Sequence, residues 1–234
     1  MLQLDRRRAA VQTLCRMRLY HLSTAEYGLS NIERRRLKIA RFEDLNDPFE
    51  LRSISSTTGD VRTALERTRT QLGANHSMIC FSAGWKNPVL SSHYGDRHRG
   101  IALGFDVADA CVAQVSYRRR RTPYAPIAIR SESGNAERAM FALLTTKYSH
   151  WRYENEWSAF LSLEDQDSEG ENYLADFSDM IRLREVIVGA AATISRSDVA
   201  VALGDLARGV RVFRVRLAFG SFNVVRQRKE SLWL

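Results

Sequence analysis

The sequence is poor in cysteine and contains no long apolar run. Its three cysteines, Cys15, Cys80 and Cys111, form no CxxC pair, and their odd number argues against a disulfide framework. No stretch approaches the roughly 18 apolar residues that a membrane-spanning helix needs. The arginine-rich N-terminus also lacks the apolar segment of a signal peptide. We therefore expect a cytoplasmic protein with no membrane partner.

Several catalytic motifs are also missing. The chain has no GxGxxG, no phosphate-binding GxxxxGK[ST] loop, no GxSxG and no HExxH. It therefore lacks the motifs that dinucleotide-binding Rossmann sites, P-loop sites and serine-hydrolase sites require. His93 and His98 flank Asp96, but a spacing of five does not place two histidines on one helix face. Cys80 and Cys111 lie in apolar strand patterns, where thiols are usually inert. The sequence therefore predicts no metal site and no cysteine nucleophile.

What the chain does contain is an ordinary globular composition, with 44% hydrophobic and 26% charged residues among 234. No Pro/Gly/Ser-rich linker interrupts it, which predicts one domain over residues 1–234, closing with a helix and hairpin at 195–228. Short strands outnumber strand-helix-strand units. The pattern favours an α+β fold with a mostly antiparallel β-sheet core, in one piece or split, and flanking helices.

The stretch Lys147–Leu163, KYSHWRYENEWSAFLSL, combines aromatic residues with paired glutamates. We predict a helix over Asn135–Tyr148, followed by a strand that begins at Glu154. On a strand, Glu154 and Glu156 share one face at roughly 6.5–7 Å, and like charges this close raise the pKa of at least one carboxyl. These glutamates are candidate catalytic groups. The alternative is an exposed strand face whose glutamates are neutralised by arginine.

The formal charge is +8 and the isoelectric point about 9.7. Arginine clusters occur at 6–8, 34–36 and 118–121, and a guanidinium matches the geometry of phosphate oxygens. We take the last cluster as a candidate nucleic-acid interface; solvated surface is the alternative. Its residues are Arg118, Arg119, Arg120 and Arg121.

The order of short motifs resembles a bacterial family, Domain of Unknown Function 2971. The motifs are LYHLS (19–23), NDPFE (46–50), CFS (80–82), HYGDRHRGIALGFD (93–106), VSY (115–117), KYSHWRYENEW (147–157) and EVIVG (185–189). The family-like core runs from about residue 18 to 190. The chain departs from the family where Ser91 and Ser92 precede His93, since the family often has a tryptophan there.

A second resemblance is to ADP-ribosyltransferases, including those that modify DNA. Tyr-His on an early strand, a central strand ending in CFS and a late strand with a glutamate are similar to their His, aromatic, Glu layout. The resemblance implies an ADP-ribosyltransferase-like fold with NAD as substrate. It assigns catalytic roles to His21, Glu154 and Glu156. The implied NAD-binding residues are Tyr20, Ser23, Asn46, Asp47, Phe81, Ser82 and Tyr94.

Two other functions stay open from the residues. The protein could be a non-enzymatic module that binds nucleic acid or another protein through its arginine-rich faces. It could instead be a metal-dependent nuclease or hydrolase with Glu154, Glu156 and Asp47 around the ion. The acceptor of a transferase is not predicted, and by resemblance its setting would be bacterial defence, as against phage, or a toxin system.

Overall fold

The computed structural model describes residues 15–124, 135–169 and 172–233. Its helices are α1 (Ala25–Arg34), α2 (Gly59–Asn75), α3 (Pro88–His93), α4 (Asn135–Leu144) and α5 (Arg196–Leu203). The strands are β1 (Arg16–Ser23), β2 (Arg36–Lys38), β3 (Ile54–Ser55), β4 (His76–Ser82), β5 (Ile101–Ala108), β6 (Ala113–Gln114), β7 (Ser116–Arg118), β8 (Thr122–Pro123), β9 (Thr146–Tyr148), β10 (Glu156–Ser162), β11 (Asp167–Glu169), β12 (Asn172–Asp176), β13 (Ile181–Val188), β14 (Arg211–Leu217) and β15 (Val224–Arg226). The predicted α+β class is confirmed. The arginine cluster at 6–8 lies outside the described residues.

Eight strands form one sheet in the order β15-β14-β13-β5-β1-β4-β10-β6. Neighbours in this sheet run antiparallel except for β13 and β14, which are parallel. The predicted mostly antiparallel sheet is therefore confirmed. Within the described ranges, none of the helices is long and apolar enough to cross a membrane.

One face of the sheet packs against α1 and α5. Leu19, Leu103 and Phe105 point to this face from β1 and β5, because alternate residues of a strand share a side. They contact a core that includes Ile32 of α1 and Leu203 of α5. Both helices begin at capping residues: the Thr24 side chain accepts from the Tyr27 amide, and Ser195 with Asp198 forms a capping box.

The helix predicted to reach Tyr148 was placed too far along the chain. It ends at Leu144, and Thr146–Tyr148 forms β9, which pairs in parallel with β7. The predicted strand at Glu154 was also wrong, since Ser149–Glu154 is a 3₁₀ helix that Asn155 ends with a left-handed φ of 44°. The strand itself begins at Glu156. The helical periodicity continues through Leu144, and it could not reveal that the residues after Leu144 pair with β7 as a strand.

A row of polar residues crosses the opposite face of the sheet. Consecutive strands pair Glu156 with Ser82, Ser82 with Tyr20, Tyr20 with Gly104, Gly104 with Glu185, and Glu185 with Arg211. The Tyr20 hydroxyl donates to Glu185 Oε2 at 3.1 Å, passing over Gly104. A Cβ at Gly104 would lie 2.9 Å from the Glu185 Cβ and 3.0 Å from Tyr20 Cε1. Glycine is therefore required sterically for this contact.

We expect Gly104→Ala to lower the free energy of unfolding by about 1–3 kcal/mol, because the added methyl overpacks a filled position. Chemical denaturation followed by circular dichroism measures this. Gly73→Ala is the matched control, since a Cβ there has no neighbour within 4 Å and alanine favours the surrounding helix α2. A Gly104→Ala protein as stable as the Gly73→Ala protein would contradict the steric account.

Candidate functional site

A cavity of about 270 Å³ lies between β1 and β4. These strands are joined by the backbone pair Tyr20 and Ser82, and residues 20–22 and 78–82 both line the cavity. The structure brings most of the predicted site residues to its lining. They are Tyr20, His21, Asn46, Asp47, Phe81, Ser82, Tyr94, Glu154 and Glu156.

Ser23 is the predicted NAD-binding residue that does not line the cavity. It ends β1 beside α1, and its Oγ lies 3.1 Å from where a Cβ on Gly28 would stand. This oxygen is buried and has no hydrogen-bond partner among the described residues. The local motif LYHLS placed Ser23 near His21 in sequence, but packing against α1 separates it from the site.

The buried ammonium of Lys147 organises the acidic wall. Its Nζ lies 2.5 Å from Glu156 Oε2, 3.3 Å from Glu50 Oε2 and 3.7 Å from Glu154 Oε2. All four side chains are at least nine-tenths buried. Burial would lower the pKa of Lys147, but the carboxylates outweigh it and raise that pKa above its ordinary value. The lysine therefore stays charged and compensates part of the acidic cluster.

Glu156 is the carboxylate held most firmly in its ionised form. Its Oε2 accepts from Lys147, its Oε1 accepts from Ser158 Oγ at 2.8 Å, and its backbone amide donates to the Tyr117 hydroxyl at 2.9 Å. Burial alone would raise the pKa of Glu156, but Lys147 and Ser158 together keep it below the ordinary value. The result is a fixed negative charge in a water-poor site.

Glu154 has the opposite tendency, although it lies only two residues away. Its Oε1 accepts from the Tyr94 hydroxyl, while its buried Oε2 has no hydrogen-bond partner in the described parts of the chain. Burial raises the pKa of Glu154 to about 7, and that of Glu50 likewise. Two neighbouring glutamates thus divide into a permanent charge and a group that exchanges protons near neutral pH.

His21 is poised as a neutral hydrogen-bonding group. Burial lowers its pKa, so the imidazole is uncharged at neutral pH. Its Nδ1 lies 3.1 Å from the carbonyl oxygen of Cys80, which can only accept, so Nδ1 carries the proton and Nε2 is left as an acceptor. Phe81 packs edge-on against the imidazole at 6.2 Å between ring centres and is itself buried. Phe81 therefore supports His21 more than it presents an open ring face.

The loop 44–51 contributes its residues 44–47 to the cavity lining. Asp47 forms the expected turn, because its Oδ1 accepts from the Phe49 amide at 2.9 Å. Its other oxygen is buried without a hydrogen-bond partner among the described residues. Phe49 is half exposed, and Glu50 points inward instead, next to Leu51 with a left-handed φ of 58°. The strained turn thus directs a carboxylate, not an aromatic ring, toward Lys147.

The arginines at 118–121 do not line the cavity. They are exposed, and Arg121 donates to the carbonyl oxygens of Arg52 and Ile54 at 2.6 and 2.5 Å. Arg121 therefore holds a loop in place. Within the described residues, no three histidine, cysteine or acidic side chains are arranged to hold a metal ion.

Sequence reasoning missed Lys147 and Glu50 as site residues. Lys147 begins the stretch singled out above, and Glu50 closes NDPFE, so both lay within motifs already noticed. What marks them as site residues is that they are charged and yet buried. Their burial is visible only in the tertiary structure. Trp151 is half-buried in the cavity wall. The thiol of Cys80 also lies at this wall, and burial followed by the charge of Glu156 raises its pKa well above normal.

No protein-family model matches the chain, and neither a curated protein nor a solved structure is similar to it.

We expect Lys147→Met to lower the free energy of unfolding by about 3–5 kcal/mol, because it leaves buried carboxylates without a cation. The exposed Lys38→Met at the same cavity is the control, with a change within about 0.5 kcal/mol.

The loss of stability caused by Lys147→Met should become smaller as the pH falls. Glu50 and Glu154 have pKa values raised to about 7 in the folded protein, so their protonated forms favour folding below about pH 4.5, and this contribution disappears as the pH rises through 7. Urea unfolding of the Lys147→Met protein at pH 5.5 and pH 8 measures the difference. Equal losses at both pH values would show that the carboxylates do not cause the instability.

Proposed function

We propose that this protein is an ADP-ribosyltransferase-like enzyme that cleaves the nicotinamide–ribose bond of NAD. The observation that carries the proposal is the meeting of His21, Tyr94, Glu154 and Glu156 at one cavity in the sheet. These residues come from three separate stretches of the chain, since Glu154 and Glu156 are two residues apart. The resemblance implies complementary roles for them.

The charge of the site supports bond cleavage at a sugar carbon. When the bond between the nicotinamide nitrogen and C1′ breaks, its electron pair leaves with nicotinamide and positive charge develops on the ribose. A carboxylate already fixed in place stabilises that charge without reorganisation. Glu156 has this property, because Lys147 and Ser158 hold it ionised.

The second step needs a base for the incoming nucleophile. As water or another acceptor forms its bond to C1′, it releases a proton, and a carboxylate with a pKa near the working pH receives it most effectively. Glu154 is the group whose pKa is raised to about 7. The Tyr94 hydroxyl donates to its Oε1, which leaves Oε2 to receive the proton. Glu154 thus serves as the base and Glu156 as the electrostatic stabiliser.

The remaining lining suits the nicotinamide end of the substrate. Neutral His21 has Nε2 available as an acceptor for a ribose hydroxyl or the carboxamide, and the rings of Tyr94 and Trp151 offer flat apolar surface. At about 270 Å³ the cavity is at the small end for ligand pockets. It fits one end of the dinucleotide, with the adenosine part extending toward the opening.

We expect Glu156→Gln to reduce NAD consumption at least about a hundredfold, because the amide carries no charge to stabilise the oxocarbenium-like ribose. Nicotinamide release measures turnover, and circular dichroism checks the fold. Glu169→Gln, a change at an exposed carboxylate paired with arginines, is the matched control and should keep wild-type turnover. Equal NAD consumption by the wild type and Glu156→Gln would contradict the proposal.

We also expect kcat/KM for NAD to rise with pH, with a midpoint near 7, because Glu154 acts only in its deprotonated form. Glu154→Gln should remove this rise. Glu50→Gln tests the assignment, since Glu50 titrates in the same range but is not the base. A rise that disappears in the Glu50 variant and remains in the Glu154 variant would reverse the two roles.

A further inference from the structure

The C-terminal edge of the large sheet is basic and carries no acid. Residues 206–229 contain seven basic residues and no aspartate or glutamate. They include β14, β15 and the connecting turn 218–223, which together we call the basic hairpin. The basic residues are Arg208, Arg211, Arg214, Arg216, Arg226, Arg228 and Lys229.

Most of this charge is not neutralised by the protein. Among the described residues, Arg211 is the one of the seven with a carboxylate within 4 Å, that of Glu185. Arg214 donates to the carbonyl oxygens of Ala190 and Ala192 at 3.1 and 2.9 Å, and Arg216 donates to that of Leu217 at 2.9 Å. The six without a carboxylate partner in the described ranges are Arg208, Arg214, Arg216, Arg226, Arg228 and Lys229.

The turn of the basic hairpin exposes aromatic rings that the fold does not use. Phe219 is 95% exposed and Phe222 is 98% exposed, and Leu217 beside them is 58% exposed. The guanidinium of Arg216 lies over the Phe219 ring at 4.4 Å from its centre. An exposed aromatic ring with a cation beside it provides a flat surface on which a base stacks and a charge that its phosphate meets.

The other end of the hairpin borders an open basic cleft of about 510 Å³. Arg18, Arg184, Arg208 and Arg211 line it. The neighbouring acids, Asp106 and Glu185, offset only part of that charge. From Arg211 to Leu217 the strand is six steps long, or about 20 Å at ~3.3 Å per residue. Because side chains alternate along β14, Arg211 at the cleft and Arg216 near the turn lie on opposite faces, and Phe213 and Val215 between them are buried. The cleft and the turn are therefore two separate basic features.

We propose that the exposed turn of the basic hairpin, with the basic residues of the strands that it joins, binds single-stranded nucleic acid. Arg216 and the other basic residues near the turn contact the phosphates, and Phe219 and Phe222 stack on unpaired bases. A duplex keeps its bases stacked inside and offers the rings nothing comparable, so the surface selects single strands. This interface lies apart from the arginines at 118–121.

Charge complementarity favours nucleic acid as the occupant. The two exposed rings lie between Arg216 and Arg226 in a stretch with no acidic residue, so cations and aromatic rings are available together, as the phosphates and bases of a single strand require.

Fluorescence anisotropy of the full chain with labelled single-stranded DNA and RNA oligonucleotides tests the proposal. We expect binding that weakens as salt increases, at least about tenfold weaker binding for the double variant Phe219→Ala/Phe222→Ala, and a shallower salt dependence for Arg216→Ala/Arg226→Ala. Both pairs are surface positions, and circular dichroism verifies that the variants fold. Arg119→Ala/Arg120→Ala removes the same charge elsewhere and should bind as the wild type does.

Three results would overturn the proposal: no oligonucleotide binding at low salt, loss of binding in the Arg119/Arg120 variant with none in the hairpin variants, or binding to anionic phosphatidylserine vesicles alone. The outcome is separate from the proposed NAD chemistry. Glu156→Gln should bind oligonucleotides like the wild type, and Phe219→Ala/Phe222→Ala should consume NAD like the wild type. Either proposal can therefore fail while the other stands.

Discussion

The buried ammonium of Lys147 is the charge on which the arrangement of the site depends. It lies within 4 Å of carboxylates from three segments: the loop with Glu50, the 3₁₀ helix with Glu154 and the strand with Glu156. Without a cation, three buried acids could not share one wall unless they took up protons. One positive charge cannot satisfy all three, and this shortage divides the glutamates into one that stays ionised and two that titrate near neutrality.

The backbone departs from regular structure at Asn155, and this departure contributes to the division. On a continuous strand, Glu154 and Glu156 would stand in equivalent positions on one face and face similar surroundings. The left-handed residue between them instead ends a 3₁₀ helix and starts β10. Glu154 therefore meets the Tyr94 hydroxyl while Glu156 meets Ser158. A kink of one residue gives two identical side chains different chemistry.

The sequence was sufficient to predict the features that local pattern determines. The α+β class, the sheet direction and the strands around His21 and Phe81 follow from alternation and from turn residues. The residues that line the cavity were assembled from motifs far apart in sequence, each of which carries its own local signal. Lys147 and Glu50 could not be predicted in this way, because a lysine after an amphipathic helix and a glutamate in a turn are ordinarily exposed.

Boundaries failed where distant partners determine them. The extent of α4 depends on β9 pairing with β7, and the inward position of Glu50 depends on the strained turn at Leu51. Neither the end of α4 nor the burial of Glu50 can be predicted from the residues adjacent in sequence.

The polar row across the sheet connects the acidic cavity with the basic edge. An apolar sheet face tolerates charged residues only where each has a partner. Glu185 satisfies this by meeting Arg211 on one side and, across Gly104, the Tyr20 hydroxyl on the other. Tyr20 also lines the cavity and pairs with Ser82 of β4. The glycine is thus needed in the middle of a strand, where it would otherwise be unfavourable, because it lets hydrogen bonding continue from the arginine edge toward the glutamate site.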